Sequence, residues 1–458
     1  MMVASVFAED AQASVQAMGL PDMPVVALSV ASTNGLAHEE LIKLGQEVEP
    51  AVLAGLTRMT DAAKNRVIEE RKAKPVGELV FKGKTYQDAV DNMDKFFLSH
   101  RMSDGYPVVP PTREKVDEMI AASGLPGDEI LGVMEPRKGL ATVEMIAVNG
   151  VMAGCRPAYM PVLVAMARAF CDPHFDMHGV MSTAGLTAPL VIISGPIVKD
   201  LNLNYSFSAL GPGWRANSTI GRASRLFCIN IGKSWPGVND MKDAGNPAKF
   251  GMVLAENEEQ TPEGWSTWRE RLGFSKEDST VTLYAAQSFR QFNDSQKNRN
   301  HKPYQKFIDP MVINLVNTTL GTSIEQWGKD IILDLSAGMA ARWASWGYTP
   351  EKIQQEVWER TGIKRDMWGH VPLGHFAEVK GVPSEWDDQP LDGRVPVVPT
   401  PQDIRIIVGG GNGADASLVI DRWGAGGSYT TTHKVELPAN WKKLVKELEP
   451  WKTPIVVK

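Results

Sequence analysis

Cysteine is scarce in this sequence. The three that occur, Cys155, Cys171 and Cys228, are an odd, low count that suits a reducing compartment. No C-x-x-C pair exists, which excludes a zinc ribbon or a thioredoxin-type couple built from this chain alone. No apolar run approaches the roughly 18 residues of a transmembrane helix. Excess positive charge is also missing. Lys and Arg number 48 against 54 Asp and Glu, a net charge of −6, so no basic field draws nucleic acid or an anionic membrane surface. The opening residues have no basic segment, and Glu9 and Asp10 interrupt the apolar pattern; a signal peptide is not expected, and the reading is cytoplasmic. Neither the G-x-G-x-x-G nor the G-x-x-x-x-G-K-[ST] phosphate pattern occurs at the glycine-rich loops.

What is present is ordinary for a globular chain: 458 residues, 43% hydrophobic and 22% charged, long enough for several domains and large cores without disulfides. The patterning reads as a mixed, multi-domain α/β protein. Residues 1–60 read as a partial α/β segment: a helix over 11–18, a buried strand over 23–30 and an amphipathic helix broken near Pro50. The segment opens on a helix with no first strand to pair against, so a partner chain is expected to complete it. Residues 61–104 read as a helical linker, a hairpin around Lys82-Gly83-Lys84 and a helix from Tyr86 to about His100. Residues 105–275 read as the core α/β domain, with strands at Ala188–Pro196 and before Glu256. Residues 276–385 read as a mainly helical appended section and 386–458 as strand-rich. Within the former, Thr349, Pro350 and Gly362 mark a capped helix. Several tryptophans (Trp214, Trp235, Trp265, Trp268 and Trp423) stand near Gly/Pro-rich loops, where indoles often wall pockets.

Five stretches carry candidate chemistry. Cys155 precedes Arg156 and Pro157, and proline suits the first helical position. The helix dipole, free amides and Arg156 would favour a thiolate there. The alternative is a small residue filling a tight Gly-Cys turn. Second, Gly211, Gly213, Trp214 and Arg215 form a loop ahead of Asn217, Ser218 and Thr219, any of which can cap the next helix. With Arg222 and Arg225 behind them, they suit a carboxylate or phosphate. Third, His174, Asp176 and His178 alternate; on a strand they would share a face, as acid/base groups or a metal half-site. His370 and His375 form a weaker pair. Fourth, Glu256, Asn257 and Glu258 follow a buried strand, where acids often line a site, although a solvated turn has the same composition. Fifth, "VGGGNGAD" (Val408–Asp415) reads as a turn.

At these motifs the chain resembles a bacterial family whose members carry DG.PVVPPT, VMAGC.P...PV, LGPG.RAN.TIGRA.RL and AENEE in this order, with a late GG.G strand. All stand here, at Asp104–Thr112, Val151–Val162, Leu210–Leu226, Ala255–Glu259 and Gly409–Gly413, spanning most of residues 100–430. Members are associated with a domain named for the tetrapeptide U-G-S-C, in which selenocysteine or cysteine takes the first position. That domain is likened to the glycine and betaine reductase selenoproteins. Residues 7–30 resemble its C-terminal part, yet no C-G-S-C occurs in this chain. The resemblance implies either a second subunit that carries the UGSC/CGSC-type domain or loss of the motif. The truncated N-terminal segment favours the subunit, and hence a hetero-oligomer.

Together these readings point to an enzyme subunit acting on a small, anionic organic molecule. In the first reading Cys155 is a nucleophilic or redox thiol in a reductive cleavage or elimination. Arg156, Arg215 and the Gly211–Thr219 loop hold the anion, while His174 or His178 with Glu256 moves protons. In the second, a hydro-lyase or hydrolase uses His178 and Glu256 with or without a metal. In the third, the chain is non-catalytic and shapes a partner's site. The cofactor is left open. Convergence of Cys155, Arg215 and Glu256 on one pocket is the structural expectation.

Overall fold

The computed structural model describes residues 2–17, 23–31, 33, 36–57, 77–292, 330–361, 363–364, 394–395, 398–413, 416–423 and 429–455. The chain opens with β1 (Met2–Val3), α1 (Ala8–Ala17), β2 (Val26–Ala27) and α2 (His38–Thr57). The expected opening on a helix is corrected by β1. The apolar run at Val26 meets its backbone partners there: β1 and β2 pair in parallel, and Leu28 N donates to Val3 O at 2.8 Å. The expected break at Pro50 does not occur either. Leu44 and Val48 before it and Val52 after it pack into one cluster with Leu28, so burial on both sides outweighs the lost backbone bond.

A helical layer follows. It comprises α3 (Tyr86–Ser99), α4 (Arg113–Ser123), the hairpin β3 (Ile130–Met134) and β4 (Gly139–Thr142), α5 (Val143–Ala153), α6 (Met160–Cys171) and α7 (Met177–Ser182). No hairpin forms at Lys82-Gly83-Lys84. Phe81 instead sits edge-on to Phe96 and Phe97, with centroids 5.4 and 5.9 Å away, and Asn92 Nδ2 donates to Lys82 O. The segment lies against α3 and has no second strand.

The next elements are β5 (Ala188–Ser194), α8 (Ile197–Asp200), α9 (Arg215–Asn230), β6 (Val253–Ala255), α10 (Trp268–Arg271) and β7 (Thr280–Phe292). They are followed by β8 (Ile331–Ser336), α11 (Ala337–Ser345), α12 (Pro350–Arg360), β9 (Ile363–Lys364) and β10 (Arg394–Val395). β11 (Ile404–Gly409), β12 (Ser417–Arg422), β13 (Thr431–Lys434) and α13 (Trp441–Glu447) close the chain. The main sheet has the order β11-β8-β12-β7-β5-β6, with β13 also on β7. β5/β6 and β8/β11 are parallel pairs; the other pairs are antiparallel. The described part of residues 276–385 is therefore not a mainly helical appendage, because β7 and β8 belong to this sheet.

Period-two alternation splits the buried side chains into layers. Val191, Ile193, Val281 and Leu283 face the α4–α6 and α9 layer. Leu333, Leu335, Ile404 and Ile406 face α11 and α12. Leu190, Ile192, Leu254, Tyr284, Ile332, Ile407 and Ile420 form one cluster between the two halves of the sheet. Each half thus carries helices outside and packs on the other inside. Asn257 ties the end of β6 to β11: its N–H donates to Val408 O at 2.8 Å and its Nδ2 to Gly410 O at 2.9 Å. Among the described residues no helix is long and apolar enough to cross a membrane.

Ile192→Ala, in the layer shared by both halves, is expected to cost about 2–5 kcal/mol in urea denaturation. Leu56→Ala, 79% exposed on α2, is expected to stay within about 0.5 kcal/mol of wild type.

Candidate functional site

The parallel strands β5 and β6 end side by side at Ser194 and Ala255, and a cleft of about 430 Å³ opens beyond their carboxyl ends. Gly195 turns the chain there with φ +102°, a conformation that excludes a Cβ, and its N–H donates to Glu258 Oε1 at 2.8 Å. Glu256 lines the cleft at 2% exposure. One carboxyl oxygen, Oε1, accepts the Trp268 N–H at 2.7 Å; the other, Oε2, is buried with no hydrogen-bond partner. Burial pushes the Glu256 carboxyl up to about 7. The Glu258 charge adds to the rise, while the Trp268 amide and Ser194 hydroxyl oppose it. Around it the charges are matched. Arg269 grips Glu258 through Nε (2.9 Å) and Nη2 (2.7 Å), and Lys199 and Tyr205 both bind Glu259. Lys276 stands on the rim without an ion pair among the described residues.

Cys155 lies elsewhere. Arg156 is the N-cap of the short turn Pro157–Tyr159 that leads into α6, so Cys155 stands just before a helical start, as the spacing predicts. Its thiol is buried, however, and burial pushes it up to about 12. The Thr219 hydroxyl and the Arg215 and Arg222 charges pull only weakly the other way. Cys171 and Cys228 are also free thiols raised by burial, to about 12 and about 11. The geometry therefore holds Cys155 as a neutral thiol, because desolvation outweighs nearby positive charge.

The loop ahead of α9 also differs from its expected form. α9 starts at Arg215 with Trp214 as N-cap, and none of Asn217, Ser218 or Thr219 caps it. Asn217 is buried and clamps the Asn204 backbone, accepting from its N–H at 2.7 Å and donating to its carbonyl at 3.1 Å. Thr219 Oγ1 donates back to Arg215 O at 2.7 Å, and Ser218 is exposed. Gly211 packs on Ser208, while Gly213, at φ +116°, accepts from Thr453 Oγ1. Arg222 is committed to Asp104 by two bonds of 2.8 and 2.9 Å. Arg156 and Arg215 instead lie over the Trp451 ring, 3.4 and 4.8 Å from its centroid.

His174, Asp176 and His178 do not lie on a strand. A turn, Pro173–Phe175, runs into α7 through Asp176 at φ 49°, and Asp176 caps α7 at Gly179 N. The histidines part. His174 is exposed and bonds Asp172 at 2.9 Å, and His433 reaches the other oxygen of Asp172 at 3.2 Å. His178 faces Glu135 at 3.8 Å, beside Asp10 of α1, and Glu135 holds it above the ordinary imidazole range. His370 and His375 lie outside the described residues.

The structure therefore joins Cys155, Arg156, Arg215 and Thr219 in one neighbourhood and places Glu256 in another. Neither Cys155, Arg215 nor either histidine lines the Glu256 cleft, so the expected single pocket is corrected. Asn257 is a fully buried clamp. Lys199, Tyr205 and Arg269 reach the cleft from stretches without a local motif. Asp334 was also missed. It is a carboxyl in β8 pushed up to about 7 by burial alone, with Oδ1 unpartnered, against Gly409. The one acid within the apolar run "IILDLS" is the signal that marks it. Among the described residues no group of three or more His, Cys, Asp or Glu is placed to hold a metal. Comparison with protein-family models and with curated proteins finds no match to this chain.

At neutral pH, alkylation read by mass spectrometry is expected to leave Cys155, Cys171 and Cys228 unmodified in the native protein and to reach all three after unfolding. A fast native reaction at Cys155 would contradict its burial. Glu256 has its pKa raised on folding, so it favours the folded state below the unfolded value of about 4.5. That contribution fades as pH rises through about 7. Glu256→Gln is therefore expected to gain stability relative to wild type across that interval, measured as the difference in urea midpoints at each pH.

Proposed function

We propose that this chain is an enzyme subunit that works by general acid–base catalysis on a small polar organic molecule, as a lyase or hydrolase, with Glu256 as the proton-transfer group. The observation that carries this reading is a desolvated carboxyl that lines a cleft, with one oxygen bonded to the Trp268 amide. Such a group takes and returns a proton near neutral pH without a metal's help. The cleft volume suits a small ligand. Lys276 supplies a charged donor at the cleft, and the Arg269–Glu258 pair fixes the wall in which Glu256 sits.

Thiol-dependent chemistry is the second reading. The Arg215 and Arg222 charges and the Thr219 hydroxyl at Cys155 favour it, and burial opposes it. A second subunit, of the UGSC-type class that the resemblance implies, belongs to the proposal, as does a cytoplasmic setting. Two features support the subunit. β1 and β2 form a two-stranded parallel sheet, a pairing that rarely stands alone, and α2 leaves Leu41, Ile42, Leu53 and Leu56 exposed.

The test is hydrogen exchange from solvent D₂O into a panel of small hydroxy and keto acids, followed by NMR. Glu256→Gln is expected to slow exchange by about 10²–10⁴ and Cys155→Ser to leave it near wild type. Loss on Cys155→Ser with retention on Glu256→Gln would overturn the acid–base reading in favour of the thiol.

A further inference from the structure

Arg156 and Arg215 present an electrostatic arrangement that the Glu256 cleft does not explain. Each guanidinium offers a fork of N–H donors and a permanent positive charge. Among the described residues they make one hydrogen bond together, from Arg215 Nη1 to Gly154 O at 3.2 Å, and neither forms an ion pair. Arg156 Nε is buried without a partner. Both lie over the ring of Trp451, where the π face offsets part of their charge. The indole cannot replace a carboxylate. Burial, and after it the Arg215 charge, lower the Arg156 pKa; Tyr159 and Glu118 counter them in part. The other arginine on the same face of the chain, Arg222, has its carboxylate in Asp104.

The arrangement is also fixed in place. Thr453 Oγ1 donates to Gly213 O at 2.9 Å, and Thr453 N donates to Asn202 Oδ1 at 2.7 Å while Asn202 Nδ2 donates to Thr453 O at 3.1 Å. These bonds strap the segment that carries Trp451 to the loop that carries Arg215. Two repelling cations on a pinned indole are a preorganised receptor for a negative group, because the cost of ordering them is met during folding.

We propose that Arg156, Arg215 and Trp451 form a binding site for the oxyanion group, carboxylate or phosphate, of a small molecule, separate from the Glu256 cleft. The site stands on its own geometry and does not depend on the acid–base reading. An oxyanion bridges the two guanidiniums, and the aromatic face carries the adjoining part of the ligand.

The test uses the full chain and two probes, inorganic phosphate and acetate, each against sodium chloride of equal ionic strength. Thermal unfolding and calorimetric titration are measured for wild type, Arg156→Gln, Arg215→Gln and the double variant. Wild type is expected to show a saturable rise in Tm with at least one probe. A response to phosphate alone assigns a phosphate ester, and a response to acetate assigns a carboxylate. Each single variant is expected to melt at or above wild type in chloride, since a like-charge contact is removed, and to weaken anion binding by about tenfold or more. The proposal is overturned if neither probe gives a saturable rise, or if the rise persists in the double variant. It is also overturned if the variants lose as much Tm in chloride as they do with the anion, which marks the arginines as structural stacking alone.

Discussion

The thirteen residues of β7 pair with strands of both halves of the main sheet, and the frame around Glu256 depends on that pairing. Residues 280–286 pair with β5 on one side, and residues 280–283 with β13 on the other, while residues 286–292 pair with β12. Because one strand serves both halves, their inner faces meet across Leu190, Ile192, Tyr284, Ile332 and Ile420. Tyr284 joins them further through its hydroxyl, which reaches the carbonyls of Asp330 and Ile420 at 3.0 Å. Asn257 then locks the far edges together. The ends of β5 and β6, and with them Glu256, are held by this frame.

Burial sorts the titratable groups. Cys155 and Glu256 both stand at the ends of elements, where a sequence reading finds candidates, and both are desolvated. Desolvation favours the neutral form in each case, with opposite chemical consequences. A thiol raised to about 12 is withdrawn from nucleophilic chemistry near neutral pH, whereas a carboxyl raised to about 7 becomes able to exchange its proton there. Asp334 is raised in the same way, by burial against Gly409. The same physical effect therefore leaves the Cys155 thiol inert near neutral pH and the Glu256 carboxyl able to titrate there.

The two charged regions differ in how they are balanced. At the Glu256 cleft Arg269 and Lys199 each have a carboxylate partner, leaving Lys276 to supply the spare charge. At Trp451 the arginines have none among the described residues, and their charge is concentrated where the C-terminal segment crosses the loop before α9. Glu256 and Arg215, expected from the sequence at one pocket, stand at two places in the fold.

Local periodicity was sufficient for β5 and α12, and for the cap of α12, where Thr349 accepts from Lys352 N. Alternation, capping chemistry and proline position are properties of neighbouring residues, so the amino-acid order determines them by itself. It also determined that Glu256 follows a buried strand and that Pro157 begins a helical turn after Cys155. Tertiary structure alone decided the rest. The expected strand through His174 and His178 became a turn and a helix because Asp176 caps α7, and the two imidazoles went to different carboxylates. The partners of Glu256 come from residues 194–205 and 258–276, and those of Arg215 from residues 154 and 451. Those distances along the chain are closed only by packing, and only packing sets how much water each group loses.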